Sequence, residues 1–192
     1  MNFIQNTSAK QPLYKTNSFN GLPSLMFDGV DDELITDQSL TVAQFSPFNT
    51  NTIFMVIRIF SGVVFFKYER INDGVPRVGL EINNGLLRFD YLDGARMLVG
   101  TTNVLGKPMI ITANADKINQ TIFVNGGTYA NVANSVNFNY NHTAIISLGG
   151  NNGSLFVRCD IAELIVFEKS LKTEERKAVE QYLSRKWKIP LS

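Results

Sequence analysis

The sequence predicts an all-β fold: a two-sheet antiparallel β-sandwich of the jelly-roll kind, with one C-terminal α-helix. Three observations carry this. Short apolar runs rich in β-branched and aromatic residues alternate with Asn-, Asp- and Gly-containing turns about every 8–12 residues, the spacing of a sandwich. The composition leans the same way: 14 Phe suit strand cores, and 20 Asn suit turns that need positive φ or local side-chain hydrogen bonds. Only one stretch, near the C-terminus, has helical spacing and helix-end chemistry.

Taken in order, residues 1–23 are polar, carry Pro12 and Pro23, show no periodicity, and read as an extended N-terminal lead-in. The sandwich is expected over residues 24–192. It opens with the strand Ser24-Leu-Met-Phe27, the turn Asp28-Gly29 and the strand Glu33-Leu-Ile-Thr36. The run Thr52-Ile-Phe-Met-Val-Ile-Arg-Ile59 is almost continuously apolar, as a strand covered on both faces must be. Strands follow at 62–69, 77–82 and 86–92, the last two joined by Asn84-Gly85, a strong hairpin signal. Further strands are expected at 96–99, 107–113, 120–124 (ending at Asn125-Gly-Gly127), 143–148 and 155–167.

The helix is predicted over 173–188. Thr173 serves as N-cap, and Glu174 and Glu175 oppose the positive end of the dipole. Val179, Tyr182, Leu183 and Trp187 form the apolar stripe. Arg185, Lys186 and Lys188 sit at the negative end before Pro190, so dipole complementarity accounts for this basic cluster without nucleic acid.

Charge and composition narrow the function. At 192 residues the chain suits one domain, and a net charge of +1 argues against nucleic acid or an anionic membrane as an electrostatic partner. One cysteine, Cys159, excludes an intrachain disulfide, and its apolar setting predicts an inert thiol. The N-terminus has neither the basic nor the apolar region of a signal peptide, and no apolar run approaches a membrane span. These features lead to the expectation of a protein made in a cytoplasm.

Three ordered blocks resemble the concanavalin A-like lectin/glucanase superfamily, and within it the laminin G-like domains of phage and bacterial surface proteins. The first is Pro23-Ser-Leu-Met-Phe27-Asp28-Gly29-Val-Asp31-Asp32-Glu-Leu34, preceded by the lead-in Gln11-Pro12-Leu-Tyr. The second is Gln120-Thr-Ile-Phe-Val-Asn125-Gly126. The third runs from Asp160-Ile-Ala-Glu163-Leu-Ile-Val-Phe to Trp187. The resemblance implies a jelly roll of two packed sheets, one commonly concave.

The glycoside hydrolases of that superfamily use E-x-D-x-x-E, because retaining hydrolysis needs two carboxylates about 5–5.5 Å apart. Here Glu163 and Glu168 have the outer spacing, but Ile165 replaces the aspartate. Glu163 is therefore read as a structural carboxylate, with Trp187 as a structural anchor, and the chain is expected not to be an enzyme. His142, the sole histidine, has no Ser or Cys partner pattern, and no zinc motif is present. No cofactor is required. Calcium is the one candidate, at Asp28, Asp31 and Asp32, with Asn72 and Asp73 as a weaker group; a tight turn at Asp28-Gly29 is the simpler account.

For a sugar ligand, alternation sets Arg88 and Asp90 on one face of their strand and Leu87, Phe89 and Tyr91 on the other. With Lys67, Glu69, Arg77 and Glu81 on neighbouring strands, they form a candidate groove; a solvated, ion-paired face is the plainer alternative. Tyr68, Tyr91, Tyr129 and Tyr140 are the tyrosines expected near loops.

The expectation that follows is a non-catalytic structural or adhesion protein of a virion surface, such as a phage capsid decoration, head fibre or tail component, with a glycan as further ligand. Its partners would be neighbouring virion subunits or copies of itself. A lectin-like module of a larger cell-surface protein is the alternative, and a glycan hydrolase the third.

Overall fold

The computed structural model describes residues 2–38, 40–41, 50–70, 76–91, 96–116, 118–133, 143–151 and 153–192. His142, Tyr140, Asn72 and Asp73 lie outside the described residues. Two antiparallel sheets pack face to face. The first holds β1 (Phe3–Ile4), β4 (Leu34–Thr36), β14 (Thr143–Leu148), β7 (Val64–Arg70), β8 (Pro76–Asn83), β9 (Leu86–Tyr91) and β10 (Arg96–Val99) in that order, with β5 (Leu40–Thr41) also on β14. The second runs β13 (Gly127–Ala133), β12 (Asn119–Val124), β11 (Met109–Ala115), β6 (Asn51–Gly62), β15 (Val157–Phe167), β3 (Leu22–Asp28) and β2 (Leu13–Phe19). The fold class is the β-sandwich that the turn spacing predicts.

Type and placement of turns follow from local chemistry. Asn84-Gly85 and Asn125-Gly126 both take positive φ at each residue, as a two-residue hairpin requires, and join β8 to β9 and β12 to β13. Asn20-Gly21 does the same between β2 and β3. The 1–23 stretch, read as an extended lead-in, thus supplies β1 and the edge strand β2, and its Phe19 is fully buried.

Strand β6 lies in the middle of its sheet, between β11 and β15. Its Ile53, Met55, Ile57 and Ile59 face the other sheet and join Phe27, Phe66, Leu80, Phe89 and Ile111 in the main core. Phe54 and Val56 face outward into a second cluster with Phe19, Ile110, Leu171, Leu183 and Trp187. Both faces of the strand are covered there, which is why its sequence hardly alternates.

The helix α1 (Thr173–Trp187) covers that second cluster. Its N-cap is Lys172, one residue before the expected Thr173; the Lys172 N–H donates to Glu175 Oε2 at 2.9 Å. Lys188, in the left-handed region, ends it. Leu183 and Trp187 are buried as the stripe predicts, but Tyr182 is 47% exposed. The buried face takes Arg176 and Glu180 instead, because they satisfy each other. Among the described residues, no helix is long and apolar enough to cross a membrane.

Candidate functional site

The outward face of the eight-stranded sheet carries the charged row singled out in the sequence. Glu81 lies between core residues Leu80 and Ile82, and Arg88 between Leu87 and Phe89, so both point away from the core. Glu81 and Arg88 are cross-strand neighbours, and Lys67 Nζ lies 3.7 Å from Glu81 Oε1. Lys67 and Glu81 are only 3% and 8% exposed, and their charges face each other. Register sets Asp90 opposite Gly79, two positions from Arg77 on the same strand; the side chains of Arg77 and Asp90, like those of Tyr68 and Tyr91, lie outside the description. Tyr129 is on β13, in the other sheet, and its hydroxyl accepts from the Leu87 N–H at 3.3 Å, tying the two sheets together.

Asp28, Asp31 and Asp32 do converge, each offering a carboxylate oxygen within 4.8 Å of the others. Asp28 Oδ1 accepts the Val30 N–H at 2.8 Å, and Asp32 Oδ2 accepts the Asp28 N–H at 2.8 Å, the bonding of a tight Asx-type turn. Burial, and then repulsion from Asp28 and Asp31, push the Asp32 carboxyl above its ordinary value despite that hydrogen bond. Calcium takes six to eight oxygens; with two of the carboxylate oxygens committed to the turn, the triad alone falls short of that shell.

At the end of the chain, Glu163 accepts hydrogen bonds from Trp187 Nε1 and, at 3.1 Å, from Lys186 Nζ, which also raises the Lys186 amine above its ordinary value. Glu168 is exposed beyond the strand. Cys159 is fully buried, and burial, reinforced by Asp160 and Asp32, pushes its thiol well above the usual range, as an inert core cysteine requires.

Two depressions stand out among the described residues. The larger, about 630 Å³, opens where β3 parts from β15 and is walled by Phe3, Tyr14, Leu25, Leu164 and Trp187. Its charged members, Glu163 and Lys186, are already paired. The smaller, about 200 Å³, lies on the outward face of the seven-stranded sheet beside α1, and is lined by Lys15, Ser18, Met26, Arg58, Phe60, Arg158 and Asp160. Arg58 and Asp160 are cross-strand partners; Arg58 Nε donates to Asp160 Oδ2 at 3.0 Å and Nη2 bonds the same oxygen and the Ser18 carbonyl. Two guanidiniums lie over the Phe60 ring, Arg58 at 5.2 Å and Arg158 at 5.4 Å from its centroid, and the residue is 37% exposed.

Lys15, Arg58, Phe60 and Arg158 are not among the candidate residues read from the sequence. The signal was nonetheless there: Arg58 is the one charge in the run Thr52–Ile59, and by alternation it shares a face with Phe60.

The architecture is a two-sheet antiparallel β-sandwich with one C-terminal helix. Among solved structures the chain is similar to Trypanosoma rangeli sialidase (TM-score 0.64, 17% identity, 85% of this chain and 28% of that one). It is also similar to the binding domain of botulinum neurotoxin DC (TM-score 0.67, 14% identity, 90% and 45%) and to the receptor binding domain of the botulinum neurotoxin C/D mosaic serotype (0.67, 14%, 88% and 45%). The chain thus spans from about a quarter to under half the length of these proteins, and at such identity the likeness is one of fold. No protein-family model and no curated sequence matches it.

This corrects one expectation. The missing E-x-D-x-x-E motif predicts a chain that is not an enzyme, yet part of an enzyme, a sialidase, is similar to it in fold. The motif describes only one arrangement of glycosidase groups: sialidases use a tyrosine nucleophile, so its absence does not set enzymes aside.

Proposed function

We propose that the chain is a glycan-binding, lectin-like adhesion module that holds a sugar in the depression around Phe60. The observation that carries this is the combination there of a partly exposed aromatic ring with guanidinium and ammonium donors in one concavity. A pyranose presents an apolar C–H face and a rim of hydroxyls, so it asks for an aromatic surface edged by planar polar groups. At about 200 Å³ the depression is below the range of drug-sized pockets and matches one sugar ring. The neighbours' ligands support the reading: the sialidase is known in complex with sialic acid, and the neurotoxin binding domain in complex with SialylT.

The resemblance to laminin G-like domains of phage and bacterial surface proteins supports display on a virion surface, docked to neighbouring subunits or to copies of itself. Mass spectrometry of purified virions tests that placement and should find the chain; its absence from particles would end the virion reading. Glycan binding is tested on an array of immobilised glycans, probed with the full chain with and without calcium. Binding should appear and should fall at least tenfold in Phe60→Ala. An array that stays blank at millimolar density, or binding indifferent to Phe60, would overturn the reading.

A further inference from the structure

The four charges of the Phe60 depression do not cancel. Asp160 is 3% exposed and receives both the Nε and the Nη2 hydrogen bonds of Arg58, so this pair is internally neutral. Lys15 and Arg158 are left over. Among the described residues neither has an ion-pair partner, and the Arg158 guanidinium lies over the Phe60 ring, 5.4 Å from its centroid. The register places Asp28 beside Arg158, but Asp28 turns its Oδ1 into its own loop toward the Val30 N–H, and no ion pair joins the two. The depression therefore presents a net charge of two positive units beside an open aromatic edge.

Resting on the glycan-binding reading, we infer that the sugar recognised is an acidic one, its carboxylate held by Arg158 and Lys15 while its C–H face lies against Phe60. A guanidinium matches a carboxylate in geometry as well as charge, since two parallel N–H groups meet two oxygens. Packing against Phe60 holds the Arg158 guanidinium in place, which lowers the conformational cost of binding. A neutral sugar would leave both cations without a counter-charge. The Arg58–Asp160 pair forms the floor: the Asp160 carboxylate, tied to Arg58, keeps that guanidinium from turning outward, so the pair offers no uncompensated cation. The anion is thus directed to the Arg158 and Lys15 side.

The experiment is a titration of the full chain, followed by amide chemical shifts, with four probes: methyl β-D-glucuronide, the methyl α-glycoside of N-acetylneuraminic acid, neutral methyl β-D-glucoside and glucose 6-sulfate. Either or both of the carboxylated sugars should bind at least tenfold more tightly than the glucoside, with shifts clustered around Phe60 and Arg158, and binding should weaken as sodium chloride is raised. Arg158→Ala and Lys15→Ala should each lower that affinity about tenfold, the scale of a lost charge-assisted hydrogen bond. Arg158→Lys should retain part of it, and Lys177→Ala, on the exposed flank of the helix, should change nothing. Melting curves of each variant confirm that it is folded, and Arg158 is exposed enough for the change to be tolerated. If the glucoside binds as tightly as the carboxylated sugars, or the sulfated sugar binds and they do not, the inference is overturned while glycan binding stands. The same holds if Arg158→Ala and Lys15→Ala leave carboxylate binding unaltered. If none of the four probes binds and the array is blank as well, both fall together.

Discussion

One face of the seven-stranded sheet is built in two halves that solve opposite problems. On strand β6 the outward residues run Phe54, Val56, Arg58, Phe60. The first two are fully buried beneath α1, with Phe54 edge-on to Phe167 at 5.9 Å. The last two lie past the edge of the helix, where Arg58 pairs with Asp160 and Phe60 is open to solvent. The same strand, with the same alternation, thus serves as core in one half and as recognition surface in the other. What differs is the cover. A face roofed by a helix must be apolar or internally neutralised, while an unroofed face can keep charge that has no partner.

The sharpest way to break this comparison is to remove the two aromatic rings in turn. Phe54→Ala empties a fully buried site and should cost about 3–5 kcal/mol in urea unfolding, the usual range for a core phenylalanine. Phe60→Ala removes a ring already partly in water and should cost about 1–2 kcal/mol while lowering sugar binding at least tenfold. Equal losses of stability in the two variants would mean that both halves are simply core.

The ion pairs give the next contrast. Under the helix, Arg176 Nη1 donates to both carboxylate oxygens of Glu180, Glu180 Oε1 also accepts from Thr112 Oγ1 at 2.8 Å, and Arg176 lies 3.7 Å from the centre of the Phe123 ring. The side chains are 7% and 1% exposed. Glu180→Ala leaves a guanidinium buried without its counter-charge and should cost about 3–5 kcal/mol. In the open half, Arg58→Ala strands Asp160, but the Arg58 side chain was 28% exposed and water can enter the space it leaves, so about 1–3 kcal/mol is expected. Chemical denaturation of both variants checks the order. A larger loss for Arg58 would place the buried boundary elsewhere.

How much of this was legible beforehand depends on whether the cause was local. The Asn-Gly turns, the apolar run of β6 and the charge polarity of the helix are written in short windows, and the sandwich with its terminal helix follows from them. Asn20-Gly21 carried the same signal as Asn84-Gly85, but β2 is a polar edge strand with little alternation, so residues 13–19 did not stand out as a strand. The helix stripe was half right for a related reason: spacing marks a face, but it does not reveal that Arg176 and Glu180 can be buried because they neutralise each other. The site was hardly legible at all. Lys15, Arg58, Phe60 and Arg158 come from three strands, and only the order β6-β15-β3-β2 brings them together. In the row around Lys67 and Glu81, which has the expected residue types on one face, those two side chains are buried and paired across the strands.

The smallest contrast sits at the rim of the helix. Glu175 accepts from Lys169 Nζ at 2.8 Å and from the Lys172 N–H at 2.9 Å, and these bonds, the lysine first, hold its carboxyl below the ordinary glutamate value of 4.5. Because the folded-state value is depressed, this stabilisation is fully present above the unfolded value and fades as pH falls through the folded one. Asp32, raised above its ordinary 3.8 chiefly by burial, has the opposite sign: its ionisation opposes folding, and the penalty disappears in acid. Melting temperatures of the wild type and of Glu175→Gln should therefore differ at neutral pH and converge only once the pH has fallen below the depressed folded-state value, where both carry an uncharged side chain. Asp32→Asn should diverge from the wild type in the other sense, melting relatively higher at neutral pH than in acid. A Glu175→Gln curve parallel to the wild type throughout would show that the helix cap is supplied by the Lys172 backbone geometry alone. The roof over the covered half would then be held by its buried pair and its tryptophan, without electrostatic help from its rim.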